Sequence, residues 1–377
     1  MRPLVVIGSA ALLLAGCRAS KLSLPADGMV AGHRLHTTVD SEIARYYIEE
    51  YLQGVGRDSP SGRVVRKLET NLATGSLDSA QFQQIGRNYS ADFAALLFAQ
   101  TLLERPSNRR AQGVYLESLE TLRQGQRLES LAGQTRSYEI LFAPGWLYRR
   151  HPETGADFRM QRALLGELGI RNSLIETDEN ASVEANADAI AAAIRSRSDS
   201  GRDLILVSTS KSGPEAALAL VQRLRPEELI GVRAWINIGG VLQGSALADA
   251  ALRVPRRWLA GLVLRGKCDG LVSLTTKSRR PIFEVLRIPA RILVLNYVGV
   301  PLSGSVTAQA RDGYEDLRRL GPNDGLTLLA DEIMPGGVTI IEPGLDHFFA
   351  APGIRERTLA LLATVLSEIR SNRGASS

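Results

Sequence analysis

The sequence predicts an α/β protein with a mostly parallel sheet covered by helices on both faces, preceded by an all-helical region. From residue 137 to 370, short apolar runs of strand length alternate with stretches of helical periodicity, as expected for a parallel sheet. From residue 38 to 130, apolar residues recur at helical spacing and little alternates with period two. The 377 residues, 44% of them hydrophobic, can build a large core, which excludes a disordered or collagen-like chain.

The composition excludes several classes of site. Two cysteines are too few for a disulfide framework or an all-cysteine metal centre, and only four histidines are available for imidazole chemistry. The sequence contains no cluster of metal-ligating residues, no phosphate-binding loop and no dinucleotide fingerprint, so neither a metal nor a cofactor is predicted. The net charge of +5 is too small to indicate a nucleic-acid partner.

The first 17 residues have the pattern of an export signal. A short basic start precedes an apolar run at 4–16, which is too short to span a bilayer but suits a secretory signal. The run ends in LAGC at 14–17, which resembles the lipobox of bacterial lipoproteins. The resemblance implies cleavage before Cys17 and acylation of its thiol, and the alternative is an ordinary signal peptide that contains a cysteine. Because Arg18 rather than Asp follows Cys17, we expect an outer-membrane anchor that faces the periplasm.

A polar segment at 18–37 with proline and glycine predicts a tether ahead of the helical region at 38–130. Asp40 and Ser41 are suitable N-caps for the first helix, and GVGRDSPSG at 54–62 predicts a loop. Further helices are predicted at about 63–73, 79–88, 91–104 and 111–123. His33 and His36 fall in or beside the tether, so no catalytic role is predicted for them. Nothing here indicates chemistry, and the role of the region and any protein partner stay open.

The α/β part, residues 137–370, is predicted element by element from its apolar runs. Strands are predicted at 138–143, 172–175, 203–207, 232–238, 291–297 and 338–342. Helices are predicted at about 158–168, 182–197, 214–223 and 353–370, before a short tail at 371–377. The stretch 240–289 is a possible cap insertion over a site, although its apolar segment at 247–264 is equally typical of an ordinary packed helix.

The strongest chemical signal is STSKSG at 208–213, which lies between an apolar strand and a helix. A strand, a tight turn with a central serine and a helix form a nucleophile elbow, here centred on Ser210. In this motif the chain resembles the α/β-hydrolase superfamily, in its lipase and esterase branch, over about 137–370. The sequence departs from the usual Gly-x-Ser-x-Gly, because Ser208 and Ser212 stand where the glycines are expected. The alternative is an ordinary serine-rich turn or a ligand-binding turn.

The resemblance implies a chain order of serine, acid and then histidine for the catalytic residues. His347 is the only histidine after Ser210 and follows the last predicted strand, where the family has its general base. Asp324, in the Asn-Asp-Gly turn that precedes His347 by 23 residues, is the expected acid. Asp269, in Cys-Asp-Gly, is the alternative acid and is less well placed. Asp346 is not expected to orient His347, since adjacent side chains point apart.

The resemblance also implies an oxyanion hole with two backbone donors. One is the N–H of Lys211, the residue after the nucleophile. The other is the N–H of Trp146, because FAPGW at 142–146 resembles the family's His-Gly-x segment, with Pro144 where histidine is common. Trp146 is alternatively a plain core residue. His151 follows closely and either lines the entrance or belongs to a solvated loop.

These residues predict a serine hydrolase that acts on carboxylic esters through an acyl-enzyme on Ser210, with lipids as candidate substrates because of the anchor. Thioesters, amides and acyl transfer use the same machinery and stay open. Residues 208–211 also fit the Ser-x-x-Lys motif of serine β-lactamases, but this interpretation is disfavoured. The Lys-Thr-Gly-like motif of such enzymes would fall within the same hexapeptide, 208–213, and the sequence contains no Ser-Asp-Asn. The alternative from another class is a non-catalytic binding or envelope-assembly protein on a hydrolase scaffold, which the missing glycines favour.

Overall fold

The computed structural model describes residues 23–73, 79–125, 131–253 and 269–374. The signal and lipobox at 1–17, with Cys17, lie outside these residues, as do 18–22 of the proposed tether, 254–268 of the possible cap and 375–377 of the tail. The strands are β1 (Leu24–Val30), β2 (His33–Val39), β3 (Tyr138–Ala143), β4 (Asn172–Leu174), β5 (Asp203–Thr209), β6 (Val232–Ile238), β7 (Leu293–Val300) and β8 (Val338–Pro343). β1 and β2 form an antiparallel hairpin, and the other six form a parallel sheet in the order β4-β3-β5-β6-β7-β8.

Helices surround the sheet. They are α1 (Glu42–Tyr46), α2 (Pro60–Ala73), α3 (Ser79–Asn88), α4 (Ala91–Leu103), α5 (Pro106–Arg123), α6 (Leu131–Gln134), α7 (Arg159–Glu167), α8 (Val183–Arg195), α9 (Ser212–Leu218), α10 (Ala246–Ala251), α11 (Asp269–Ser273), α12 (Thr276–Val285), α13 (Arg311–Leu317) and α14 (Ile354–Gly374). Single π-helical turns continue α1 over Tyr47–Tyr51 and α9 over Ala219–Arg223.

The predicted fold class is confirmed. Each of the six strands expected between residues 137 and 370 is present, and β5 runs two residues further than expected, to Thr209. One face of the sheet packs against α8 and α9, and the other against α5, α7 and α14. Because all six strands are parallel, their carboxyl ends meet at one edge, where ligands bind in open α/β sheets.

The predicted tether at 18–37 is wrong for the described part, because residues 24–39 form the β1–β2 hairpin. Ala31 and Gly32 have φ values of 50° and 81°, as a type I′ hairpin turn requires. Every second residue of β1 faces inward, but Ala26 and Gly28 are among them. A Cβ on Gly28 would lie 2.6 Å from the carbonyl oxygen of Ile48. The strand was missed because its buried face is built from small residues, so no apolar alternation is visible.

The N-terminal helices share a core with the sheet. Phe93 and Leu97 of α4 lie in one apolar cluster with Val298 and Ile341 of the sheet. Side chains of α5 also bond the backbone of the edge strand β8. Gln112 accepts from the Ile341 N–H at 2.9 Å and donates to its carbonyl at 3.0 Å. An uncovered edge strand exposes unpaired backbone N–H and C=O groups. The helical region covers this edge, because α5 supplies hydrogen-bond partners for β8.

Two buried carboxylates join the helical region to the segment after β7. Asp92 accepts hydrogen bonds from the Asp40 N–H at 2.8 Å, the Ser303 N–H at 2.9 Å and the Tyr314 hydroxyl at 3.0 Å. Asp40 is paired with Arg318. Burial, together with the charge of Asp40, raises the pKa of Asp92 to about 6. The hydrogen bonds of Asp92 and the ion pair of Asp40 fix the position of α13, which contributes to the wall of the cavity described next.

Candidate active site

Ser210 occupies a strained turn between β5 and α9. Its φ is 53°, in the left-handed region that side chains other than glycine rarely adopt. The Ser210 N–H donates to the carbonyl of Ile238 at 3.2 Å, and its carbonyl accepts from the Val241 N–H at 3.1 Å. These bonds to the neighbouring strand and its loop hold the turn, so the hydroxyl projects beyond the carboxyl end of β5.

The two serines at the expected glycine positions are fully buried and hydrogen-bonded. Ser208 Oγ accepts from the indole Nε1 of Trp235 at 2.8 Å. Ser212 Oγ accepts from the Thr209 N–H at 2.8 Å. The close backbone approach falls one residue later, since a Cβ on Gly213 would lie 2.7 Å from the Cα of Gly240. The departure from Gly-x-Ser-x-Gly is therefore accommodated in the elbow without an unpaired hydroxyl.

His347 bridges Ser210 and Asp324. Its Nε2 lies 2.9 Å from Ser210 Oγ, and its Nδ1 is hydrogen-bonded to the Asp324 carboxylate. The His347 N–H also donates to the Asp324 carbonyl at 2.9 Å. A proton on Nδ1 is the tautomer that leaves Nε2 free to accept from the serine hydroxyl. The structure thus brings together the three residues expected from their order in the chain.

The Asp324 carboxylate is held by the turn that contains it. Its Oδ1 accepts from the N–H groups of Leu326 and Thr327, each at 2.8 Å. Burial alone would raise the pKa of Asp324. The charge of His347 and the bonds from His347, Thr327 and Leu326 outweigh burial and lower that pKa below its ordinary value. Asp324 is therefore ionised at neutral pH and can stabilise a protonated imidazole.

The alternative acids lie elsewhere. Asp269 is exposed at the start of α11, and it does not line the cavity. Asp346 accepts from the N–H groups of Thr307 at 2.8 Å and Phe348 at 3.1 Å, so it shapes the histidine loop. Neither carboxylate contacts the His347 ring, and the structure favours Asp324 as its orienting group.

A second acid near the site has no sequence signal. Glu332 is fully buried, and its carboxyl oxygens accept no hydrogen bond from the described residues. Burial, followed by the charge of Asp324 and a hydrogen bond to the Asp324 carboxylate, raises the pKa of Glu332 well above its ordinary value. Glu332 is therefore neutral beside the ionised Asp324. No motif surrounds it in the sequence, so only packing reveals it.

The backbone N–H groups of the two expected oxyanion donors, Lys211 and Trp146, make no hydrogen bond within the described protein. The Lys211 side chain turns away into the core, where it pairs with the buried Glu215. Asn186 also donates to Glu215, at 2.8 Å. Burial raises the pKa of Glu215, although Lys211 opposes the shift.

A cavity of about 560 Å³ opens at Ser210 and His347. This volume is typical of sites for small ligands. Of the five non-glycine residues with positive φ among those described, four line this cavity, namely Leu147, Phe158, Ser210 and Phe349. Backbone strain of this kind clusters at functional sites, because it persists only where the surrounding structure enforces it.

The cavity extends inward between the sheet and two helices. Phe142 of β3, Leu165 of α7 and Leu361 of α14 line its apolar part. On α14 the lining runs from Ile354 to Leu362, which corresponds to about 12 Å of helix. His151 also lines the cavity, as one of its two interpretations expected. Trp146 lines the cavity and packs against the apolar cluster on one face of the sheet. From the possible cap, Leu247 of α10 contributes to the wall.

Comparison with solved structures identifies the fold. A metagenomic carboxyl esterase, MGS0156, matches with a TM-score of 0.51 and 22% identity over 63% of this chain and 77% of that chain. The mature form of the Bacillus licheniformis lipase BlEst2 matches with a TM-score of 0.48 and 23% identity over 62% of this chain and 92% of that chain. No family model and no curated protein matches the sequence. The parallel sheet, the elbow and the first of these likenesses show that this chain has the α/β-hydrolase fold.

Proposed function

We propose that this protein is a serine hydrolase that cleaves carboxylic esters through a covalent acyl-enzyme on Ser210. The observation that carries the proposal is the position of His347, whose two ring nitrogens join Ser210 Oγ and the Asp324 carboxylate at the wall of the cavity. A serine hydroxyl is a weak nucleophile until a base removes its proton, and this arrangement supplies an oriented base.

The reaction proceeds in two half-steps. Ser210 Oγ attacks the ester carbonyl while His347 Nε2 takes its proton, and the ionised Asp324 stabilises the resulting imidazolium. The N–H groups of Lys211 and Trp146 donate to the oxyanion that forms on the carbonyl oxygen. His347 returns the proton to the departing alcohol, which leaves an ester on Ser210. Water then attacks this ester with His347 again acting as base, and the carboxylic acid and free serine are released.

The apolar lining supports an ester with a hydrocarbon acyl group as the substrate class. Phe142, Leu165 and Leu361 offer the acyl group apolar contacts and no hydrogen-bonding group of their own. Amides and thioesters require the same serine chemistry, so hydrolysis of matched ester, thioester and amide substrates decides among them.

Labelling with a fluorophosphonate probe tests the activated serine. The full chain, purified in detergent, should be labelled, and the variants Ser210→Ala and His347→Ala should not be. His151→Ala is the matched control, because His151 lines the same cavity but is hydrogen-bonded to Glu153, at 2.9 Å, rather than to Ser210. If folded wild type resists probes of several sizes and cleaves no ester, the binding or assembly function becomes the better proposal.

We further propose that the protein is lipid-anchored through Cys17, on the outer membrane and facing the periplasm. The support is the signal-like segment and the lipobox-like LAGC at 14–17. Among the described helices, none is long and apolar enough to cross a membrane. Metabolic incorporation of an alkyne-labelled fatty acid tests the anchor: wild type should take up the label and Cys17→Ser should not. Equal labelling of both would refute acylation at Cys17.

A further inference from the structure

We infer that the buried hydroxyl of Ser212 positions the oxyanion hole by joining the two chain segments that supply its donors. The inference rests on the proposed function, because it assigns a role in the same site. One donor, Trp146, lies on the segment after β3, and the other, Lys211, lies in the elbow after β5.

The backbone ladder between these segments stops just before the donors. β3 and β5 are adjacent, and their last paired residues are Ala143 and Ser208. Pro144 follows, and a proline has no N–H with which to continue the ladder. The next N–H, that of Gly145, donates away from β5, to the carbonyl of Ala156 at 2.9 Å. Beyond Ala143, the relative position of the two segments therefore depends on other contacts.

The Ser212 hydroxyl adds a side-chain link between the two segments at the last step of the ladder, where the backbone pairing ends. Its oxygen accepts from the Thr209 N–H at 2.8 Å and lies 2.7 Å from the Ala143 carbonyl, to which it donates. The Thr209 carbonyl is a second candidate acceptor at 2.9 Å. A hydroxyl can accept and donate at once, so a single side chain bonds the elbow and the oxyanion loop. Ser212 is fully buried, and water does not compete for these bonds.

A glycine at this position, as in the usual pattern, would have no group to make either bond. The two segments also approach each other closely at Gly145, where an added Cβ would lie 3.2 Å from Thr209 Cγ2. We therefore expect that restoring the usual glycine at Ser212 lowers the rate, although it restores the familiar motif.

Ser208→Ala is the matched control for Ser212→Ala. Both serines are fully buried, lie in the same hexapeptide and lose one hydroxyl. Ser208 Oγ, however, accepts a hydrogen bond from the Trp235 indole. It therefore does not join the elbow to the segment after β3. Both variants should lower the melting temperature, whereas only the Ser212 variants should impair transition-state stabilisation.

The experiment measures kcat and KM for a p-nitrophenyl ester, and the rate of inactivation by a p-nitrophenyl phosphate triester, on the full chain in detergent. In Ser212→Ala, kcat should fall about 10–100-fold and KM should change little. The same result is expected for Ser212→Gly, which is the second variant if Ser212→Ala does not fold. Inactivation should slow in parallel, and the pH profile of kcat should keep its shape. Ser208→Ala should keep kcat within about threefold.

The outcomes separate the two proposals. An active wild type with unimpaired Ser212 variants, or an equal loss of kcat in Ser208→Ala, would overturn the positioning role and leave the hydrolase proposal standing. A folded wild type that cleaves no ester and is not labelled would overturn the proposed function itself.

Discussion

Shortening the apolar part of the cavity should change the preferred acyl chain length. Leu361 lies on α14 near the inner end of the lining, about seven residues or roughly 10 Å along the helix from Ile354. One leaflet of a bilayer has about 15 Å of hydrocarbon, so this length of lined helix corresponds to about two thirds of a lipid acyl chain. The change Leu361→Trp places an indole where the end of such a chain would lie.

The expected magnitude follows from the burial of methylene groups. Each buried CH₂ contributes about 0.8 kcal/mol, which corresponds to a factor of about four in kcat/KM. An indole that displaces about three methylenes should therefore lower kcat/KM for long-chain esters by about 60-fold. We expect the acyl groups of acetate and propionate esters to end before Leu361, so kcat/KM for these esters should change little.

The assay is kcat/KM for p-nitrophenyl esters of increasing acyl length. Leu359→Trp is the control, because Leu359 lies on the same helix but does not line the cavity. For wild type, kcat/KM should rise about fourfold with each added methylene until a limiting acyl length is reached. For Leu361→Trp, this limiting acyl length should be shorter. A flat response in wild type, or an equal loss for acetate and long chains in the variant, would refute acyl binding in this part of the cavity.

Three other changes test the electrostatics of the structure. Asp324→Asn should lower kcat by about 10⁴-fold without unfolding the protein, since an amide no longer favours a proton on His347 Nδ1; a loss below about tenfold would contradict the assignment. Lys211→Met should lower the free energy of unfolding, measured in urea, by about 3–5 kcal/mol, because the buried Glu215 loses its cationic partner. The double variant Lys211→Met with Glu215→Leu should recover most of this loss of stability. A single variant as stable as wild type would show that the ion pair is dispensable. Since the folded-state pKa of Asp92 is raised from 3.8 to about 6, the folded protein binds that proton more tightly, and the free energy of unfolding should rise as the pH falls from about 6 to about 4. Asp92→Asn should reduce this rise in urea titrations across the same range, and an unchanged pH dependence would exclude Asp92 as its source.

The local sequence determined the main elements of the α/β region and the candidate nucleophile. Buried parallel strands appear as apolar runs, because both of their faces are covered, and five of the six strands were recognisable on that basis. The edge strand β4 (Asn172–Leu174) is only half-buried and carries a weaker apolar signal. The elbow at Ser210 was visible because a strand, a turn and a helix follow one another within a few residues. His347 was identifiable because it is the only later histidine. The β1–β2 hairpin escaped recognition because Ala26 and Gly28 on its inner face carry no apolar signal.

Only the tertiary structure decided the contacts between segments far apart in the chain. Asp324 and Asp269 both precede a glycine in the sequence, and only the packing of the loops brings Asp324 to His347. The Ser212 hydroxyl reaches Ala143 across 69 residues. Periodicity and turn residues report which face of an element is buried and where the chain turns, because these depend on neighbouring residues. Which buried polar groups meet depends on how separate elements pack, and no local pattern encodes that.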